Sequence, residues 1–377
     1  MTAQIATALS VAIWVYLLLA HGRFWQTSIR LPAGPDPARW PSVTAVVPAR
    51  NEADLLPVSL PTLLAQRYRG PWRVIVVDDD SDDETAKLAA AAGADVVASP
   101  GPPPGWTGKV AAMAAGLGQA GDADFVLFTD ADIAYPPDAV TELVRAATGR
   151  DLNLVSQMAL LRAESFWERL VVPAFVYFFA QLYPFQRVNK RGRTAAAAGG
   201  CMLVRRRALE RAGGLAEIHR ALIDDVALAR LLKRRGRIWL GLSGQISSLR
   251  PYPRLADLWR MVARSAYTQL RRSPLWLLAT IAALLLVYAL PVAALIAGLA
   301  IGDVTLAVLG GLGWAAMAAS YVPMLRFYRL PAVASPVLPL VALLFAAMTL
   351  DSARRHAIGR GGAWKGRVAG RHSARAG

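Results

Sequence analysis

The sequence predicts an α/β domain on a mostly parallel, doubly wound sheet, set between an N-terminal and several C-terminal transmembrane helices. Three observations predict it. Short β-branched runs alternate with helical stretches through the middle of the chain, long apolar runs gather at its two ends, and three of the strand-like runs finish in polar or acidic clusters. Strands alternating with helices imply right-handed crossovers and a parallel sheet. Such sheets bind ligands outside the carboxyl ends of their strands.

The soluble part begins near Trp40. "VTAVVPA" (Val43 to Ala49) and "WRVIVVDDD" (Trp72 to Asp80) read as strands, and "EADLLPVSLPTLLAQ" between them carries apolar residues at helical spacing. "SDDETAKLAAAAG" opens with an acidic cluster that marks a helix N-terminus and closes at Gly93. Then follow "ADVVAS", a glycine- and proline-rich loop (Pro100 to Gly108), the helix "KVAAMAAGLGQA" and the strand "FVLFTDAD".

The 377 residues are 55% hydrophobic yet carry a net charge of +16, and both figures come from segregation. "IATALSVAIWVYLLLA" (Ile5 to Ala20) lies near the lower limit of roughly 17–25 residues for a membrane span. No charge precedes it, while Arg23 and Arg30 follow, the order of an uncleaved anchor with its C-terminal side in the cytoplasm. Pro274–Ala300, Val304–Leu325 and Pro331–Leu350 are each apolar and long enough to span. The last holds three prolines and reads as a span or as a re-entrant segment; three full crossings would carry the arginine-rich tail outside, so a cytoplasmic tail is favoured. Arginines flank these runs, the positive-inside pattern of a membrane protein rather than a nucleic-acid footprint. One cysteine, Cys201, excludes an intrachain disulfide and a zinc cluster.

Arg50-Asn51-Glu52, Asp78-Asp79-Asp80 and Asp130-Ala131-Asp132 end three strands and would line one cleft. Taken singly, the cluster from Asp79 to Glu84 could cap a helix, and Asp130 with Asp132 could be a turn before Pro136-Pro137. Residues two apart face the same side of a strand, so both carboxylates can reach one ion. A diphosphate entering an acidic cleft needs a divalent cation as bridge, and Mg²⁺ or Mn²⁺ suits oxygen ligands while leaving positions for phosphate.

"VVPARNEADLLPVSLPTLLAQRY", "VIVVDDDSDDET", "GWTGKVAAMAAG", "FTDADIAYPPDAV", "GGCMLVRRRALERAGG" and "IDDVALARLLKRRG" occur in the order of the family 2 glycosyltransferases, which the chain resembles. "ESFWERLVVPAFVYFFAQLYPF", "SLRPYPRLADLWRMVARSAYTQLR" and the membrane segments look like the hopanoid-associated members, so the resemblance covers nearly the whole chain. It implies the GT-A nucleotide-diphospho-sugar transferase fold. Pro48, Ala49, Arg50 and Glu52 would border the donor's uridine, Asp78 or Asp79 would bind base or ribose, and Lys109 would neutralise donor phosphates. Asp130 and Asp132 would hold metal and, through Asp130, the donor. Asp225 would be the general base. Asp224 stands where the family has glutamate, and Ala114 where many relatives carry asparagine. The family's Gln/Arg-x-x-Arg-Trp appears only loosely around Arg260 and Arg264, without tryptophan, which favours a single transfer over polymer synthesis. Asp224, Arg264, Trp364 and Arg367 are candidates for the acceptor or phosphate side, the last two as a lid over the phosphates.

The expected organisation is a membrane anchor over 1–24, a cytoplasmic GT-A catalytic domain over 40–254, an interfacial helix over 255–273, transmembrane helices over 274–350 and a basic tail over 351–377. Residues 166–186 read as a membrane-surface segment or a buried core helix. The expected activity is inverting transfer of a sugar, from a UDP-sugar, to a lipid hydroxyl such as that of a hopanoid, at a bacterial-type inner membrane, with no nucleic acid involved. The alternatives are transfer to a polyprenyl phosphate and a non-catalytic membrane scaffold of the same fold.

Overall fold

A computed structural model describes residues 1–359 and 361 in full, and the backbone alone of residues 363–364 and 367–368. In chain order the elements are α1 (Thr2–Leu19), β1 (Val43–Ala49), α2 (Leu56–Leu64), β2 (Trp72–Asp78), α3 (Thr85–Ala91), β3 (Asp95–Ala98), α4 (Gly108–Gly118), β4 (Phe125–Phe128), β5 (Ile133–Ala134), α5 (Ala139–Gly149) and β6 (Leu152–Leu160). There follow α6 (Phe166–Leu182), α7 (Phe185–Asn189), β7 (Met202–Arg205), α8 (Arg206–Arg211), α9 (Asp224–Lys233), β8 (Arg237–Ser248), α10 (Leu255–Ala263) and α11 (Ala266–Gln269). The last are α12 (Pro274–Leu284), α13 (Leu290–Ile301), α14 (Val304–Phe327), α15 (Leu338–Ala357), and the short strands β9 (Ala363–Trp364) and β10 (Arg367–Val368). They divide into a sheet unit (residues 29–162, 187–251 and 362–377) and a helical unit (1–28, 163–186 and 252–361).

The sheet unit holds eight strands in the order β3-β2-β1-β4-β7-β6-β8-β5. β3, β2, β1 and β4 run parallel, as do β6 and β8, whereas β7 runs against both β4 and β6 and β5 runs against β8. The sheet is therefore mixed, with the expected parallel half built from the strand–helix alternation of residues 43–128. Reversing β7 has a consequence for the site. Its N-terminal end, at Gly199-Gly200, falls at the edge where the parallel strands have their carboxyl ends.

Strand β4 is shorter than the sequence pattern suggests: it stops at Phe128, and Asp130 and Asp132 lie in the turn before β5. The two-residue alternation of a strand therefore does not orient them. The turn is instead held by the Ile133 N–H donating to the Asp130 carbonyl (3.3 Å) and the Leu249 N–H donating to that of Asp132 (2.8 Å). Ile133 and Ala134 pair with Ser248 and Ser247, so the end of β8 secures this turn.

The central strands are apolar on both faces, with Val46, Ile75, Val76, Val126 and Leu127 fully buried, as expected when helices cover both sides of a sheet. Helix α4 packs against β1 and β2 through Gly116. A Cβ there would stand 2.4 Å from Val46 Cγ1 and 2.8 Å from Val77 Cγ2, so only hydrogen fits.

The helical unit contains α1, α6 and α10 to α15, and four of its helical stretches are long and apolar enough to cross a membrane: Thr2–Leu19, Pro274–Ile301, Val304–Phe327 and Ala332–Ala357. The proline-rich stretch opens as a 3₁₀ turn (Ala332–Val337) and continues into α15. Pro291 has no N–H to give the Val287 carbonyl four residues earlier. The Trp14 indole of α1 donates to that carbonyl instead (2.8 Å), beside a π-helical turn over Leu285–Ala289. α6 opens with a Ser165/Glu168 capping box and buries one face, where the Tyr177 hydroxyl meets Ser320 Oγ at 2.6 Å and its ring packs edge-on to Phe24 and Tyr321.

Gly116→Val is expected to lower stability by about 1–3 kcal/mol through overpacking, read as a lower thermal midpoint of the detergent-solubilised protein; an unchanged midpoint would contradict the tight α4–sheet contact.

Candidate functional site

The tips of β1 and β2 are laced together. The Asp79 N–H donates to the Ala49 carbonyl (2.8 Å), and Arg50 Nη1 donates to the Asp79 carbonyl (2.5 Å) while lying 3.6 Å from Asp80 Oδ2. Two residues beyond each strand lies a left-handed residue, Asn51 (φ 51°) after β1 and Asp80 (φ 57°) after β2, a conformation that asparagine and aspartate tolerate better than most. Asp82 and Asp83 serve the same join: the Ala53 N–H donates to Asp83 Oδ2 (3.1 Å), and the Asp82 N–H to Asn51 Oδ1 (2.8 Å). Asp79 is fully buried, and half-buried Asp78 accepts the Ser81 hydroxyl.

A second cluster gathers around Lys109, at the start of α4. Its Nζ lies 2.8 Å from Asp130 Oδ1 and 3.4 Å from Asp224 Oδ2. Burial alone would lower the Lys109 pKa, but Asp130 and Asp224 outweigh it and hold the ammonium protonated. Asp225 is next to this group, at the N-terminus of α9. The Gly199 N–H donates to its Oδ2 (3.0 Å) and its own helix's Val226 N–H to Oδ1 (2.7 Å). Burial, and then the charge of Asp224, push the Asp225 carboxyl up to about 7, against the pull of Lys109 and the two N–H donors.

Gly199 shows how near these groups stand to one another. A Cβ on it would lie 3.2 Å from Lys109 Nζ, 3.6 Å from Asp225 Oδ2 and 3.8 Å from Asp130 Oδ2. Four separate stretches of chain thus meet at one small space. Thr107 braces the two sides of it, its N–H donating to the His219 carbonyl (2.9 Å) and its hydroxyl to that of Ala221 (3.2 Å).

A third cluster surrounds Asp132. Ser248 donates its hydroxyl to Asp132 Oδ2 (2.6 Å), and Arg250 Nε lies 3.5 Å from the same oxygen. Arg250 Nη2 also grips both oxygens of buried Glu52, at 2.6 and 2.7 Å. Burial and then Asp130 raise the pKa of Asp132, while Arg250 and Ser248 oppose them.

Pro48, Ala49, Arg50, Glu52, Asp78 and Asp79 therefore line the β1–β2 tip; Lys109, Asp130, Asp224 and Asp225 share one cluster; Asp132 sits with Glu52 in the adjoining one. Arg264 belongs to the helical unit, where it is the exposed C-cap of α10. Trp364 and Arg367, read above as a lid, have side chains outside the described residues; their backbones pair antiparallel. Sequence reasoning missed Arg250, Ser248 and Gly199. The available signal was "SGQISSLR", a polar run closing a long strand-like segment.

Among the described residues no group of three or more His, Cys, Asp or Glu side chains is arranged to hold a metal ion. The donor chemistry nonetheless suits a hard cation: the charge of Asp130 raises the cost of ionising its neighbour Asp132, and buried Asp224 Oδ2 has only the Lys109 ammonium, at 3.4 Å, facing it. Two protein oxygens are the share a Mg²⁺-type site usually takes when phosphates and water complete its shell.

Removing one partner of a buried ion pair costs about 3–5 kcal/mol, because the other charge stays behind. Arg250→Met is therefore expected to destabilise strongly, and Glu52→Gln combined with it to recover part of the loss. Denaturant unfolding of the single and double variants checks this; additive losses would count against the pairing.

Comparison with known proteins bears on what the domain is. Residues 44–213 match Glycosyl transferase family 2. A search of curated proteins returned no match. Among solved structures, a mannosyltransferase from Pyrobaculum calidifontis in complex with GDP-Man and Mn²⁺ is 20% identical, covers 96% of this chain and 99% of its own, and superposes with a TM-score of 0.54. A glucosyl-3-phosphoglycerate synthase from Mycobacterium tuberculosis in complex with Mn²⁺ and UDP-glucose is 24% identical over 62% of this chain and 79% of its own, with a TM-score of 0.41. The first likeness is one of fold, and it extends over the helical unit as well as the sheet. Residues 44–213 thus match a glycosyl transferase family 2 domain, within a chain that has the GT-A fold.

Proposed function

We propose that the protein is a membrane-bound, inverting glycosyltransferase that moves one sugar from a nucleoside-diphosphate donor, a UDP-sugar, to a lipid hydroxyl, with a hopanoid as the acceptor to which the family resemblance points. The observation that carries the reading is the meeting of Lys109, Asp130 and Asp225 around the side-chain-free Gly199. One space then offers an anion-binding ammonium and a carboxylate of near-neutral pKa. The four helices long enough to cross a membrane support a lipid acceptor and a location in the inner membrane, with the sheet unit on the cytoplasmic side.

Asp225 takes the proton of the acceptor hydroxyl. The acceptor oxygen then bonds to the anomeric carbon from the face opposite the diphosphate, and the carbon–oxygen bond to the diphosphate breaks with its electron pair on the departing nucleotide. Two backbone N–H donors hold Asp225 in one orientation, so little reorganisation accompanies the proton transfer. Lys109, kept charged by Asp130 and Asp224, faces the charge that builds on the leaving group. Mg²⁺ or Mn²⁺ on Asp130 and Asp132 would neutralise the diphosphate, as the ions present with the neighbours' nucleotides suggest. Asp78 or Asp79, with Pro48, Ala49, Arg50 and Glu52, would receive base and ribose at the β1–β2 tip. Arg264, Trp364 and Arg367 remain candidates for the acceptor or phosphate side.

Asp225→Asn is expected to reduce turnover about 10²–10⁴-fold while donor binding persists. Because the Asp225 pKa is raised, the wild-type base is protonated below about 7 and ionised above it, so turnover should rise with pH through that value. Steady-state rates on extracted lipids and equilibrium binding of UDP-sugars measure both. Near-normal turnover of the variant on a polyprenyl phosphate, an acceptor already anionic, would replace the hydroxyl acceptor with a phosphate one.

A scaffold without activity predicts no nucleotide-sugar binding with or without Mn²⁺. Chelation with EDTA is expected to abolish donor binding, followed by calorimetry, and Mn²⁺ to restore it; binding indifferent to metal would overturn the roles given to Asp130 and Asp132.

A further inference from the structure

Lys233, the last residue of α9, sends its ammonium into a distant stretch of the sheet unit. Nζ donates to the carbonyl oxygens of Val188 (2.6 Å) and Thr194 (2.5 Å), with that of Arg187 at 3.4 Å. These carbonyls sit at the two ends of residues 187–194. A single side chain therefore closes that loop and fixes it beside the C-terminal end of α9.

Both of the joined segments are basic. The loop exposes Lys190, Arg191 and Arg193, and the end of α9 with the residues after it exposes Arg230, Arg234 and Arg235. No acidic residue stands between Glu168 and Glu210, nor between Asp225 and Asp257, so neither segment brings a compensating carboxylate. Like charges held side by side repel one another and raise the potential over their surface by several kT. Lys233 spends its own hydrogen bonds to hold them so. Such an arrangement is explained by an anion that binds several cations at once.

The donor site is not that anion. Asp224 and Asp225 begin α9 and Lys233 ends it, which puts the basic end about 15 Å along the helix axis from the acidic one. The remaining candidates are polyanionic surfaces, of which a bilayer is always within reach of a chain that carries four helices of membrane-crossing length. The loop also starts where the chain passes from the helical unit to the sheet unit, between Gln186 and Arg187. Each cation near an anionic membrane contributes about a fivefold gain in binding.

We propose that Lys190, Arg191, Arg193, Arg230, Arg234 and Arg235 form a binding surface for the headgroups of anionic phospholipids, assembled by Lys233. The surface would hold the catalytic unit against the membrane independently of donor and acceptor.

Limited trypsin digestion of the protein in nanodiscs tests this, since the loop contains three exposed cleavage points. In discs of phosphatidylcholine mixed with phosphatidylglycerol, cleavage after Lys190, Arg191 and Arg193 should be slower than in phosphatidylcholine alone, several-fold at low salt, with the difference closing as salt rises. The triple variant R230Q/R234Q/R235Q leaves those cleavage points intact and should shrink the difference, with an unchanged thermal midpoint. Lys233→Met should speed cleavage in both kinds of disc by releasing the loop. Equal cleavage of the wild type in both discs would overturn the proposal. So would protection by a single-stranded RNA oligonucleotide, but not by phosphatidylglycerol, which would assign the surface to nucleic acid. Either failure leaves the donor chemistry untouched, because neither readout involves transfer.

Discussion

The ammonium of Lys109, seated between Asp130 and Asp224 with Asp225 alongside, is the interaction on which the rest of the site depends. Three carboxylates drawn from the turn after β4 and the start of α9 would repel one another strongly in a partly buried space. One cation makes their approach tolerable. The fold supplies the approach itself: α4 and α9 both begin at the sheet edge where β4 ends, and Thr107 ties the segment before one helix to the segment before the other.

Arg250 does on the far side of Asp132 what Lys109 does beside Asp130. It binds Glu52 through two contacts and reaches Asp132, so the acidic edge is divided into two compartments, each with its own positive charge. Their difference is chemical. Lysine is a compact charge on a flexible stem, suited to following a moving phosphate, whereas the guanidinium fork suits a fixed carboxylate. The Lys109 side is thus held by a flexible point charge and the Arg250 side by a rigid fork.

Much of the architecture could be read from residue order. The strand–helix alternation of residues 43–128 carries its own periodicity, and the apolar runs announce themselves by length. The acidic clusters at 78–80 and 130–132 were visible as candidates because charge at the end of an apolar strand is costly without a purpose. What escaped was everything set by register between distant segments. That β7 runs antiparallel, and so delivers Gly199 to the edge where Lys109, Asp130 and Asp225 gather, has no local signature. Arg250 was unreadable because its partners, Glu52 and Asp132, are far away in sequence. The two-residue spacing of Asp130 and Asp132 suggested a strand where the chain makes a turn, since the pairing of β5 with β8 draws the chain aside.

The pairing of Gln4 with Asp303 and of Trp14 with the carbonyl left by Pro291 bears on how the polypeptide is made. Helix α1 leaves the ribosome before its partners, which lie almost three hundred residues behind it. Meanwhile the sheet unit's hydrophobic core closes within residues 43–246 and can form while the later helices are still being synthesised. Helix α1 therefore lacks these partners until they are made, while the Thr7 hydroxyl donates to the Ala3 carbonyl of its own helix (2.8 Å). Completion of the helical unit is a late, long-range event, and truncation anywhere before Val287 would leave the first helix without either of these partners.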